Sequence, residues 1–221
     1  MAGANFIQGG VNPMVVSADG TQTTARLDNF AGQLGSQSLP GYWELARSGR
    51  IYTAQFGVVT NAVASVVDIP TTGAHFGLYN GNPAGVGSKH LAILGWGVAS
   101  ASGTIGIGAF VVGGVSGGAQ AAAVTTTSGN LIVSDCGATR TTAATADSTL
   151  TLTTAPAWGI LGNVNTVSGV GIGYGAVDYG VGGRFIVPPT YVFALAVVSP
   201  TGTSPKFLAS ITYAEIEAYT P

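Results

Sequence analysis

The sequence predicts an all-β protein: an antiparallel β-sandwich of the jelly-roll kind, residues 50 to 221, preceded by an extended N-terminal arm, residues 1 to 49. Three observations predict it. From Ile51 onward, short runs rich in Val, Ile, Thr, Phe and Tyr alternate with clusters of Gly, Pro, Asn and Ser, the pattern of many strands joined by turns. No stretch carries a long helical period. Only 7% of residues are charged, against roughly 25% in ordinary soluble domains, so Ser, Thr, Asn, Gln and Gly must cover much of the surface. A chain of 221 residues accommodates one sizeable core and an appendage.

The arm has scattered apolar residues and little periodicity, as expected of a segment that cannot build a core alone. Phe6, Tyr42 and Trp43 are its candidate assembly contacts, and Tyr42, Trp43, Leu45 and Ala46 are expected to dock as a short helical turn. The runs that then read as strands are IYTAQFGVV, ASVVDI, AHFGLYN, LAILGWGVAS, IGAFVVGGV, LIVSDCGAT, STLTLTTA, VGIGYGAVDYG, GRFIVP, YVFALAVVS and FLASITYAEIEAY. Strands of about 5 to 6 residues are typical, and this many of them fit two packed sheets. In the last run, alternation places Ile211, Tyr213, Glu215, Glu217 and Tyr219 on one face and Ala214, Ile216 and Ala218 on the other, and the second face is expected to be the inner one. LAILGWGV and YVFALAVV are apolar on both faces, which predicts cover from a second sheet inside and a neighbouring subunit outside, with Trp96 a candidate contact. Tyr79-Asn80-Gly81-Asn82-Pro83 reads as a turn, and Pro188-Pro189 stops one strand just before YVFALAVV begins.

Residues 91 to 118 form 28 consecutive uncharged residues, more than the about 20 needed to cross a bilayer as a helix. Nine of them are Gly, each costing about 1 kcal/mol against Ala in a helix. The centre, Ser100-Ala101-Ser102-Gly103-Thr104, is polar, and no basic residue follows to set topology. The expectation is a hairpin of two strands and no membrane helix.

No catalytic or metal constellation emerges, so no enzyme activity and no cofactor are expected. Gly114-Val115-Ser116-Gly117-Gly118 matches the nucleophile-elbow pattern, but both histidines, His75 and His90, precede Ser116 and no helix-forming segment follows. Two histidines fifteen residues apart and a single Cys136 make no metal set, and Cys136 reads as a small buried residue. Glu215 and Glu217 are expected to face solvent, and the loop before Lys89 lacks phosphate-loop spacing. A net charge of −2 with 7 basic residues offers no footprint for nucleic acid or anionic lipid. The N-terminus lacks a signal-peptide pattern, so a cytoplasmically made chain is expected, unless it leaves the cell by lysis or by a dedicated exporter.

The order of YWELARSGRIYTA at 42 to 54, LYNGNPAGVGSK at 78 to 89, FIVPPTYVFAL at 185 to 195 and SITYAEI at 210 to 216 resembles structural proteins of tailed-phage virions. The chain departs from that pattern at Thr190, where Gly follows the double Pro, and at Tyr213, where Trp is expected. The resemblance implies a virion protein: a jelly-roll subunit, trimeric, that decorates or cements a capsid or belongs to a head or tail fibre, with itself and other capsid or tail proteins as partners. Two other functions compete. One is a carbohydrate-binding module using Tyr174, Asp178 and Tyr179; the other is a filament-forming extracellular β-protein that propagates by strand addition.

Overall fold

The computed structural model describes residues 14–16, 22–24, 26–27, 33–34, 42–56, 62–72, 76–85, 87–117, 131–134, 141–148, 150, 152–164 and 177–217. The chain divides into two units, Met1–Trp43 and Glu44–Pro221. In the first, β1 (Met14–Val16) pairs antiparallel with β2 (Gln22–Thr24), and β3 (Arg26–Leu27) with β4 (Gln33–Leu34). Phe6 lies outside the described residues.

The expected helical turn is α1 (Trp43–Arg47). It ends as helices commonly do, with Gly49 in the left-handed region at φ 69°. The Gly49 amide donates to Ala46 O and the Arg50 amide to Leu45 O, both at 2.9 Å, which satisfies two terminal carbonyls. From there the chain enters the sandwich: β5 (Ile51–Phe56), β6 (Val63–Ala64), β7 (Phe76–Asn80), β8 (Lys89–Ile105), β9 (Phe110–Ser116), β10 (Leu131–Ser134), β11 (Ala144–Asp147), β12 (Gly159–Asn163), β13 (Val177–Val187), β14 (Val192–Val198) and β15 (Gly202–Glu217).

These strands make an all-β sandwich of two antiparallel sheets. One sheet has the order β10-β5-β15-β8-β13, with β6 added on β15; the other has the order β11-β7-β14-β9-β12. Tyr52, Phe56, Ile93, Trp96 and Ile211 from the first sheet meet Phe76, Leu78, Val111, Phe193 and Leu195 from the second in one buried cluster. The chain crosses between sheets at nearly every connection, and this overturns the expected hairpin within residues 91 to 118. The first strand does not stop at the polar centre; it runs on to Ile105 and pairs with β15 throughout, while β9 belongs to the opposite sheet. The turn falls later, at Gly106 to Ala109, with Gly108 at φ 83°.

β8 keeps its apolar residues inward by changing phase. Leu91 and Ile93 face the core, Leu94 is an extra residue between the Ile93–Tyr213 and Gly95–Thr212 pairs, and from there the even positions Trp96 and Val98 face inward. A bulge of this kind moves the following side chains to the other face.

β14 is buried on both faces, as expected, yet its outer face is covered by its own chain and not by a neighbouring subunit. Leu150, Leu152 and Trp158 pack on Val192 and Ala194, and Val66, Phe110 and Trp158 on Ala196 and Val198. Val66 bridges Val198, and Trp158 Nε1 donates to Pro70 O at 2.6 Å, strapping residues 65 to 70 onto the sheet. The run STLTLTTA, expected as a strand, supplies the buried Leu150 and Leu152, and its described residues join no ladder. The Gly-rich strand β9 lets the same chain approach closely: a Cβ at Gly114 would come within 2.8 Å of Ala157 O.

Candidate functional site

Where β8 begins and β15 ends, the first sheet borders a cleft of about 400 Å3. It is lined by Gly49, Arg50, Tyr52, Lys89, Thr141, Glu215 and Glu217. Strand register explains the gathering. On β15 the residues Ile211, Tyr213, Glu215 and Glu217 alternate along one side, beginning in the core and ending in solvent. This is the reverse of the expected orientation, since Ile211 and Tyr213 are wholly buried among the core residues. The expected solvent exposure of both glutamates is therefore corrected for one of them: Glu215 is 4% exposed, Glu217 67%. Alternation along the strand is legible in sequence, but a face ending in two carboxylates reads as an outer one.

Arg50 is delivered by the α1 cap, and its carbonyl accepts the Glu215 amide at 2.9 Å. Lys89 opens β8 opposite Glu217, and its Nζ reaches diagonally to Glu215 Oε2 at 3.3 Å. Arg50 reaches Glu217 Oε1 at 3.4 Å. The other Glu215 oxygen accepts the Thr142 hydroxyl at 2.6 Å, and Thr142 Oγ1 in turn accepts the Ala144 amide at 3.0 Å and the Tyr213 phenol at 3.3 Å. Tyr213 stacks on Tyr52 with ring centroids 5.5 Å apart. Burial raises the Tyr213 phenol well above the ordinary tyrosine range; the Thr142 bond opposes the shift, and the charges of Glu215 and Tyr52 add to it.

A second polar knot holds the neighbouring turns. The buried Asn80 amide donates to Lys89 O and Val187 O, both at 2.9 Å, and its Oδ1 accepts the Asn82 backbone amide at 3.1 Å and Nδ2 at 2.8 Å. The turns read from sequence as LYNGNP and VPPTY thus meet on one side chain, which fixes where Lys89 begins.

The cleft offers hydrogen-bond donors and acceptors, and both of its carboxylates are ion-paired. No Ser, Cys or His is among its lining residues. Ser116, the residue of the nucleophile-like pattern, ends β9 buried, with its hydroxyl donating to Thr154 O at 2.6 Å. Among the described residues no group of three metal-ligating side chains occurs, and no helix is long and apolar enough to cross a membrane.

The sequence-selected residues do not converge on this cleft. Trp96 is 1% exposed inside the core, so its ring cannot serve as an assembly contact, and that expectation is corrected. Tyr42 is exposed just before α1, and Trp43 begins it. Asp178 and Tyr179 hold the positions of β13 opposite Gly97 and Trp96, their side chains outside the described set. Tyr174, His75 and Cys136 also lie outside the described residues. What sequence reading missed was Arg50, Lys89 and Thr142, whose only common signal is that their neighbours start or flank strands. No protein-family model, curated protein or solved structure matches the chain.

Proposed function

We propose that the chain is a virion structural protein of a tailed phage, a jelly-roll subunit that assembles with copies of itself and decorates or cements a capsid or forms part of a fibre. The strand orders β5-β15-β8-β13 and β7-β14-β9-β12 support the jelly-roll reading, in which eight strands wrap alternately into two four-stranded sheets. The observation that carries the assembly reading is the edge strand β12. Among the described residues it ends its sheet with the sequence GILGN, which has no charge, and Ile160 is 68% exposed on the side it shares with Val112. Soluble monomers blunt such edges with Lys, Pro or inward charges; an uncharged, apolar edge fits a contact between subunits in closed symmetry.

The expected result is a trimer by native mass spectrometry, and Ile160→Lys shifts the chain to monomer with an unchanged far-ultraviolet spectrum. A wild-type monomer at micromolar concentration overturns the assembly reading. Cryo-electron microscopy of intact particles then tests the virion reading, which fails if no density matches the sandwich.

A further inference from the structure

We propose that the cleft between Arg50, Lys89, Glu215 and Glu217 binds an uncharged polyhydroxyl ligand, a sugar ring or sugar alcohol. This does not rest on the virion reading. Its volume of about 400 Å3 lies within the about 300 to 1,000 Å3 of small-molecule sites. Of the few charged residues in the chain, two cations and two carboxylates line it, and their formal charges cancel. A lining without net charge draws neither anions nor cations. A charged ligand would also have to displace one member of an existing pair, at 3.3 Å for Lys89–Glu215 or 3.4 Å for Arg50–Glu217.

A hydroxyl has no such conflict, because it donates and accepts at once. The pairs leave most of their capacity unused: an ammonium carries three donors, a guanidinium five, and each carboxylate about four acceptor sites. Glu215 is held by Lys89 and Thr142, and Glu217 by Arg50, so the groups are already oriented before a ligand arrives. Thr141 also lines the cleft, and Tyr52, 2% exposed and stacked on Tyr213, forms part of its wall and keeps it rigid.

The test is an amide-resolved NMR titration of the full chain with glucose, galactose, mannose, N-acetylglucosamine and glycerol, and in parallel with glycine, acetate and inorganic phosphate. The expected result is saturable shifts at Arg50, Lys89, Thr141 and Glu217 with at least one of the neutral compounds. Glu217→Gln, or Arg50→Gln where the first variant folds poorly, weakens that binding about tenfold and leaves the subunit count unchanged. The proposal is overturned if no neutral compound gives saturable shifts there, if only the charged compounds do, or if the variants bind as the wild type does. Loss of the subunit contact in Ile160→Lys leaves sugar binding intact, so failure of one proposal is distinguishable from failure of the other.

Discussion

Thr190 holds the left-handed conformation at φ 67°, which a β-branched side chain adopts at a cost of about 1 to 3 kcal/mol. It stands where the phage pattern has Gly. The chain keeps the conformation because the turn needs it: the Thr190 amide donates to Asn80 O at 2.8 Å and the Asn80 amide to Tyr191 O at 2.9 Å. Thr190→Gly keeps both bonds and removes the strain, against about 0.5 to 1 kcal/mol of added unfolded-chain entropy. The expected net is a stabilisation of about 1 kcal/mol, or about 3 °C in Tm for a chain of this size, read by calorimetry. An unchanged or lower Tm means that the Thr side chain makes a compensating contact. Glu215 teaches the opposite lesson at the same scale, since nothing in ITYAEIE marks one carboxylate as buried and the next as exposed. Their difference comes from what lies across them: Thr142 and Lys89 close on Glu215, whereas Glu217 pairs with the exposed Arg50.

Among elements, the strap at residues 65 to 70 shows how a strand that is apolar on both faces is accommodated within one chain. Its ties are the Val66–Val198 bridge, the Ser199 amide to Val66 O at 2.7 Å and the Trp158 bond to Pro70 O at 2.6 Å. Trp158→Phe keeps an aromatic ring but removes the last of these, with an expected cost of about 1 kcal/mol. Hydrogen exchange should then quicken at the Val66 and Ser199 amides while the β14 ladder stays protected; uniform quickening across β14 would show that the strap and sheet open together. Strand legibility followed side-chain type. β5, β7, β9 and β14 were evident from Val, Ile, Phe and Tyr, whereas β11 (ATAD) and β12 (GILGN) were not, because Ala, Asp, Asn and Gly are poor in strand propensity. Pairing with β7 and β9 makes them strands.

For the whole molecule, the scarcity of charge leaves few groups whose titration governs stability, and Tyr213 is one that does. Its phenol is raised in the folded chain, chiefly by burial. Below the ordinary tyrosine value of about 10, both folded and unfolded chains hold the proton and the contribution is constant. As pH climbs past it, the unfolded chain gives up the proton while the folded one retains it, so stability falls. In Tyr213→Phe the alkaline limb of stability against pH should be shallower, by up to about 1.4 kcal/mol per pH unit, although the variant starts lower for want of the Thr142 bond. Equal slopes in urea melts of the two proteins would show that Tyr213 opens to solvent before unfolding.

Sequence alone determined the all-β class, a short helical turn around Tyr42, Trp43, Leu45 and Ala46, and the turns around Asn80 and Pro188. Each follows from local preferences: β-branched and aromatic runs, clustered apolar residues before the first strand, and Asn, Gly and Pro where the chain reverses. Only the tertiary structure decided which sheet each strand joins, which face of β15 is inner, and that β14's outer cover comes from the same chain. Those are contests between distant segments for one apolar surface. The cleft arises the same way, where the β15 face that carries Ile211 and Tyr213 in the core continues to the ion-paired Glu215 and Glu217.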